Sequence, residues 1–370
     1  MILDAQDAVY ASNKFIDYFS NIHRIDEYLR AIKLDRMKKF PSSLPGYGPE
    51  DEMFSSFDMH PQDMDFEVYE MDNNVFNNYL EITTSHAIED SIPGKTLKWI
   101  VKEKNTNKIV GFIRFGSPVI NSKPRNEFLG QVPDLSRFNK NVIMGFIIVP
   151  TQPFGYNYLG GKLLALLCCS HKARETLNKK YDANICLFET TSLYGSTKSS
   201  SQYDGLKPYL RFKGLTDSNF IPLLHDSVFS ELESWFKDRN GKKGLVKENA
   251  SSRKLKTQQK MISIIKASLK DADNQQLTVF KDTLRQALNL TEQKRFYMSD
   301  YGFSNVREVI NGKTDILIKN PQNYDKFYME NLIRWWKNKA STRYESLKSE
   351  DRLRTELELW NKDMEIDIIR

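Results

Sequence analysis

Phe15, Tyr18, Phe19, Ile22 and Ile25 recur at helical spacing, with Arg24, Arg30, Lys33, Arg36, Lys38 and Lys39 around the later part. Residues 1–40 are therefore predicted to form a helical N-terminal arm. Pro41, Pro45, Gly46, Gly48 and Pro49 break that period and make 41–62 a loop or linker. DFEVYEM (65–71) alternates like a half-buried strand, and a short helix is expected around Val75 to Ile82. LKWIVKEK (97–104) and KIVGFIRFG (108–116) predict two strands joined by the polar turn Asn105, Thr106, Asn107. Asn121 to Lys140, with Pro124 and Pro133, reads as a polar connection.

NVIMGFIIVP (141–150) is continuously apolar, the pattern of a strand buried on both faces. The turn TQPFGYN (151–157) leads into an amphipathic helix with Leu163, Leu164, Leu167 and Ala173 inward. NICLFETTS (184–192) is the next strand, a Ser-rich loop follows (Ser196 to Ser201), and KPYLRFKG (207–214) is a short strand before a further helix that includes Phe229. From about Gly241 onward helical periods predominate, through Ile262, Ile265 and Leu269, then Leu277 to Leu288, then Leu332 to Leu347, then Leu353, Leu357 and Trp360. The domains expected are a helical arm (1–40), an acidic linker (41–62), an α/β domain (63–240) and a basic α-helical C-terminal module (241–370).

Composition narrows the class. At 370 residues and 40% hydrophobic, the chain is long enough for two or three domains with an ordinary core. No apolar run approaches the roughly 20 residues of a membrane helix, and the start MILDAQDAVY has no basic and apolar leader. Cys168, Cys169 and Cys186 are too few for a disulfide framework and lack metal-ligand spacing. A soluble cytoplasmic protein with no membrane or metal partner is expected. The net charge of +6 conceals an asymmetry: residues 41–90 hold twelve acids and no Lys or Arg, so the rest carries +18. That split predicts a polyanionic partner, nucleic acid first. Lys242, Lys243, Lys247, Arg253, Lys254, Lys256 and Lys260, in and after an expected linker, are the predicted phosphate contacts.

The chemistry-bearing signal lies after the apolar strand. Gln152, Gly155 and Asn157 in the turn, and Gly160-Gly161 at the helix start, form a pattern that lets backbone N–H groups meet a phosphate. The spacing is neither a P-loop nor a dinucleotide fingerprint. A purely structural reading stays open, in which these residues only make the turn and allow close packing. Asp63, Asp65 and Glu67 alternate on one solvated face and are not read as a metal cluster. Trp335 and Trp336 sit beside Arg334, Lys337 and Lys339; the helical stripe puts Trp336 in the core and leaves at most Trp335 for base stacking. His171 is read as a polar-face residue.

The hairpin ending IVGFIRFG, the strand ending in Pro150, the run Gln152-Pro-Phe-Gly155-Tyr-Asn157 and the helix after it resemble the GCN5-related N-acetyltransferase (GNAT) fold over roughly residues 64–216. The resemblance implies an α/β (α+β) fold, a GNAT-like mixed sheet with flanking helices. It implies acyl-CoA or acetyl-CoA held by Ile148, Val149, Gln152, Gly155, Tyr156, Asn157, Gly160, Gly161 and Lys162, with Asn157 in place of the usual small residue and tolerant of positive φ. Within it, GFIRFGSP, FIIVP, YLGGKLLALLCC, LFETTS and the run from Ser199 to Asp217 resemble the Druantia anti-phage protein A family and the Mom DNA-modification proteins of phage Mu. The matching positions are Glu189 and Thr190, Tyr203, Gly214 and Thr216, and a phage origin is expected. Glu189 is the expected general base and Tyr203 or Tyr209 the acid or stacking group, although Glu189 equally fits a carboxylate capping or pairing with a nearby Lys.

Three functions follow as expectations. The first is an N-acyltransferase acting on an amine in nucleic acid, by base flipping or on a single strand. The second is a catalytically idle GNAT-like module that holds DNA in a phage or defence setting. The third is a protein N-acyltransferase. Gln152, Gly155 and Glu189 favour an enzyme; Asn157 and a turn about one residue longer than usual favour the idle fold.

Overall fold

The computed structural model describes residues 1–23, 25–37, 52–84, 94–119, 121–192, 200–216, 221–250, 253–290 and 294–360. In chain order α1 is Ala5–Phe19 and α2 Ile25–Met37, followed by β1 (Phe66–Glu70) and α3 (Asn73–Thr83). Next come β2 (Thr96–Glu103), β3 (Lys108–Gly116), α4 (Lys123–Leu129), α5 (Leu135–Asn141) and β4 (Val142–Pro150). Then follow α6 (Phe154–Tyr158), α7 (Gly160–Cys168), α8 (His171–Tyr181), β5 (Leu187–Ser192) and β6 (Arg211–Leu215). The remaining elements are α9 (Asp226–Arg239), α10 (Arg253–Ala272), α11 (Asn274–Asn289), β7 (Arg295–Ser299), α12 (Val306–Ile310) and α13 (Met329–Ser349).

The chain divides into a helical unit, Met1–Ser42 with Ser218–Glu292, and a sheet unit, Ser43–Asp217 with Gln293–Arg370. These boundaries correct the expected domains. Phe15 and Phe19 of α1 share one core with Phe229, Leu232 and Phe236 of α9, Ile265 of α10 and Phe280 of α11. An amphipathic helix with a wide apolar stripe has to bury it somewhere, so the N-terminal helices are part of a bundle and not a separate arm. Residues 241–250 are a turn inside that bundle, between α9 and α10. The last third of the chain is not one helical module, because β7 enters the sheet and α13 packs on α7 through Trp336 and Leu332.

The sheet has seven strands in the order β1-β2-β3-β4-β5-β7-β6. All neighbours are antiparallel except β4 and β5, which run parallel from Val142↔Leu187 to Gly145↔Thr190. The mixed α/β class expected from the sequence is therefore observed. The hairpin is as expected, Asn107 taking a left-handed φ of 56° between β2 and β3. One face of the sheet packs Ile113, Phe115 and Phe188 under Leu163, Leu164 and Trp336, while Phe76, Tyr79 and Leu80 of α3 cover Ile100, Phe112 and Ile147 on the other.

Several local expectations change. Residues 121–140 contain α4 and α5, the first closed by Gly130 at φ 78° and the second opened by Asp134, whose carboxylate accepts from Arg137 N. The helix after the turn is interrupted at Cys169, and Ser170 caps a new one by accepting from Ala173 N. Residues 351–360 are irregular and not helical; Glu358 N donates to Gln152 O at 2.9 Å and Trp360 N to Ile82 O at 2.7 Å. Of the expected linker, 41–51 lie outside the described residues, but 52–62 are built into the sheet unit: Met53 bridges Ile109, and Phe54 and Phe57 are core. Tyr158 Oη donates to Phe57 O at 2.7 Å and Tyr344 Oη to Asp58 O at 2.9 Å. His171, expected on a polar face, is buried with its ring 4.1 Å from that of Tyr324. Among the described residues no helix is long and apolar enough to cross a membrane, and no group of three or more His, Cys, Asp or Glu is placed to hold a metal.

Candidate functional site

The turn after β4 decides whether a diphosphate has a place to sit. Gly155 N donates to Thr151 O and Asn157 N to Pro153 O, both at 2.8 Å, and Tyr156 N donates to Gln152 Oε1 at 3.2 Å. Lys162 N and Leu163 N both donate to Leu159 O. Leu159, and not Asn157, is the left-handed residue of the turn (φ 55°). The glycines make room for the protein itself. A Cβ on Gly155 would lie 2.5 Å from Gln152 Nε2, one on Gly160 2.7 Å from the Phe154 ring, and one on Gly161 2.0 Å from Gln202 Oε1.

Asn157 is fully buried and clamps the segment after α13, giving Nδ2–H to Arg354 O at 2.8 Å and accepting Arg354 N at 3.2 Å. The Lys162 ammonium donates to the backbone carbonyls of Gln202 and Asp204, and burial holds its pKa below the usual lysine range. Ile148 and Val149 lie in the β3/β4 ladder opposite Ile113 and Phe112. The N–H groups of Gly155, Tyr156 and Asn157, the Asn157 amide and the Lys162 ammonium are thus bonded within the chain and do not offer themselves to a coenzyme A diphosphate.

Glu189 is fully buried in β5 and paired with an equally buried Arg125 of α4, whose Nη1 stands 2.9 Å and 3.2 Å from the two carboxylate oxygens. Arg125 also donates to Val119 O and lies 4.3 Å over the Phe138 ring. Burial pushes the Glu189 carboxyl up to about 7, against the opposing pull of the guanidinium. The pairing cation is this arginine and not a lysine.

Tyr203 does not join Glu189. Successive residues of a strand face opposite ways, so Thr190 points away from the Arg125 side. Tyr203 packs edge-on against Tyr297, the cross-strand partner of Thr190, whose hydroxyl donates to Gly145 O at 2.9 Å. The expected base and acid therefore stand on opposite faces of the sheet. On the Tyr203 side, Tyr297 Oη donates to Asp204 Oδ1 at 2.7 Å, and Arg295 bonds both Tyr297 Oη and Asp204. Nothing in the sequence spacing marks Arg125, Asp204 or Arg295, which come from segments far apart in the chain.

A cationic rim borders the turn. The Tyr156 ring has the guanidinium carbons of Arg343 at 4.8 Å and Arg354 at 4.0 Å, and Arg352 Nη2 donates to Tyr156 Oη at 3.3 Å. In the helical unit, the seven predicted phosphate contacts differ in availability. Lys242 pairs with Asp238, Arg253 with Glu233 and Lys254 with Asp226, whereas Lys243, Lys247 and Lys260 are exposed and make no ion pair among the described residues. Lys256 is exposed on α10.

Residues 50–199 match the family described as Druantia protein DruA. The Druantia protein DruA of Escherichia coli (strain UMEA 4076-1) is 27% identical over 160 residues, which is 39% of this chain and 39% of that protein. The chain thus spans well under half the length of the curated relative it matches. The family match takes in β1 through β5, with the turn and the Arg125–Glu189 pair, and stops before β6, β7 and α13. No solved structure matches. Over that segment the chain is similar to Druantia protein DruA.

Proposed function

We propose that this protein is a nucleic-acid-holding module of an anti-phage system, built on a GNAT-like sheet that has lost coenzyme A chemistry. The observation that carries the reading is the closed turn: the N–H groups of Gly155, Tyr156 and Asn157 are bonded inside the chain, and Arg354 is clamped over Asn157. The separation of Glu189 from Tyr203 by the thickness of the sheet supports it. So does the similarity to Druantia protein DruA, which supplies the defence setting. Nucleic acid as the partner is favoured by the net charge of +6 and by exposed Lys243, Lys247 and Lys260.

Two measurements test this. Neither coenzyme A nor acetyl-CoA at millimolar concentration is expected to raise the melting temperature, whereas a ligand at a hundredfold excess over its Kd adds about 2.7 kcal/mol. Binding of duplex or single-stranded DNA is expected at low salt and to weaken steeply between roughly 50 and 200 mM. Replacing Lys243, Lys247 and Lys260 by Gln is expected to flatten the log–log salt dependence by roughly 0.9 for each duplex phosphate that is no longer neutralised. No binding at the lowest salt would overturn the reading.

One observation favours the acyltransferase alternative: β4 runs on to Pro150 while its pairing with β5 ends at Gly145/Thr190. Two parallel strands that part company leave an edge where an acyl-CoA arm is able to lie. A clear thermal shift with acetyl-CoA would reinstate that function, with an amine of nucleic acid or protein as acceptor.

A further inference from the structure

The cations and aromatics bordering the turn form a row. Trp335, Lys339 and Arg343 of α13 stand four residues apart, so they lie on one side of the helix and span about 12 Å at 1.5 Å per residue. The ammonium of Lys339 sits 6.0 Å over the Trp335 ring. Arg343, Arg354 and Arg352 all meet Tyr156, the first two against its ring and the third at its hydroxyl. Trp335 is half-buried, edge-on to Tyr209, which fixes the indole while leaving part of it in solvent. Acids do accompany the row: Glu350 pairs with Arg352 and Glu358 with Arg354. Lys339 and Arg343 make no close ion pair among the described residues, although the Arg343 charge acts on the Glu350 carboxylate.

From this we infer that the ridge Trp335–Lys339–Arg343–Tyr156–Arg354 is a track for single-stranded nucleic acid. The inference rests on the nucleic-acid reading above and deepens it by naming the strand type and the surface. Three physical features favour a single strand. The guanidinium groups of Arg343 and Arg354 are pre-positioned beside the Tyr156 ring, Arg343 giving Nε–H to Tyr156 O at 3.4 Å and Arg354 Nη1–H to Glu358, so that their remaining N–H groups are the ones turned to phosphate oxygens. Aromatic faces alternating with cations match a strand whose bases are free to stack, while a duplex hides those faces. The turn, closed by Asn157 and Arg354, supplies a rigid floor, so little order is left to impose when a strand binds.

The test uses the full chain, fluorescence anisotropy, a mixed-sequence 20-nucleotide DNA and its duplex, across a salt series. The wild type is expected to bind the single strand more tightly than the duplex. Lys339→Gln with Arg343→Gln is expected to lower the single-strand log–log slope by about 1.4, the value for two phosphates left without a cation, with an unchanged melting temperature. Trp335→Leu, which keeps an apolar group against Tyr209, is expected to weaken single-strand binding about tenfold, the worth of one base stack. It should leave duplex binding unaltered. If the wild type binds nucleic acid and the double variant keeps the full slope, or if the duplex binds as tightly as the single strand, the ridge is not the track and the broader reading stands. If the wild type binds neither form, both fail together. Where the double variant melts early, Lys339→Gln alone decides, since that side chain is exposed and carries no packing load.

Discussion

Arg125→Met is expected to destabilise the sheet unit by about 3–5 kcal/mol, the usual penalty for leaving a buried charge without its partner. Arg125 and Glu189 are both fully shielded from water, and the guanidinium is the one influence that draws the Glu189 carboxyl down. With the arginine gone, the carboxyl must hold its proton to still higher pH or remain as an isolated buried anion. The pH dependence follows from the sign of the shift. An unfolded Glu ionises near 4.5, whereas folded Glu189 keeps its proton to about 7, so the folded state binds more protons through that window. The stabilising contribution of the protonated form is fully present below about 4.5 and is lost as pH rises through 7. Chemical unfolding between pH 4.5 and 8 should therefore show this falling component in the wild type and the same slope carried on to higher pH in Arg125→Met. Glu189→Gln should remove it. Replacing both partners by apolar residues, Arg125→Met with Glu189→Leu, is expected to recover most of the stability. An unchanged unfolding midpoint in Arg125→Met would mean that the pair is not sealed from solvent.

Removing residues 52–62 is expected to abolish folding of the sheet unit. Phe54 lies fully buried against Phe57, Phe154 and Tyr158, and the Tyr158 and Tyr344 hydroxyls are satisfied by the backbone of 57–59. A single Phe54→Ala should cost about 3–5 kcal/mol by cavity formation alone. Deleting the whole segment adds two orphaned hydroxyls to that. A deletion variant with wild-type circular dichroism and cooperative melting would contradict the packing described.

The candidate site is legible in the sequence only in part. The glycines of the turn and its position after a buried strand mark Gln152 to Asn157 as a special place. Its role is not legible, because the partners that close it, Arg354 and Glu358, lie some two hundred residues away in a stretch whose leucines imitate a helical period. A lysine beside Glu189 is part of one of the two readings its position allows, but the actual partner, Arg125, is hidden in a segment that reads as a polar connection. Its helix is only seven residues long, too short for a periodic signal to emerge.

What the sequence by itself determined is what local periodicity and turn chemistry encode. The β2/β3 hairpin, the buried strand β4, the amphipathic α1, α10 and α11, and the inward side of Trp336 follow from which residues must leave water and at what spacing. What only the tertiary structure decided is which distant pieces share a core. The N-terminal helices joined 218–292, the short strand β7 slipped between β5 and β6, and the segment after Phe54 became part of the sheet's packing. The alternation along β5 that sent Glu189 and Thr190 to opposite faces was encoded locally. Which face would meet Arg125 and which Tyr203 depended on long-range burial, since a lone carboxylate or hydroxyl in the interior is tolerable only where another segment brings a partner to it.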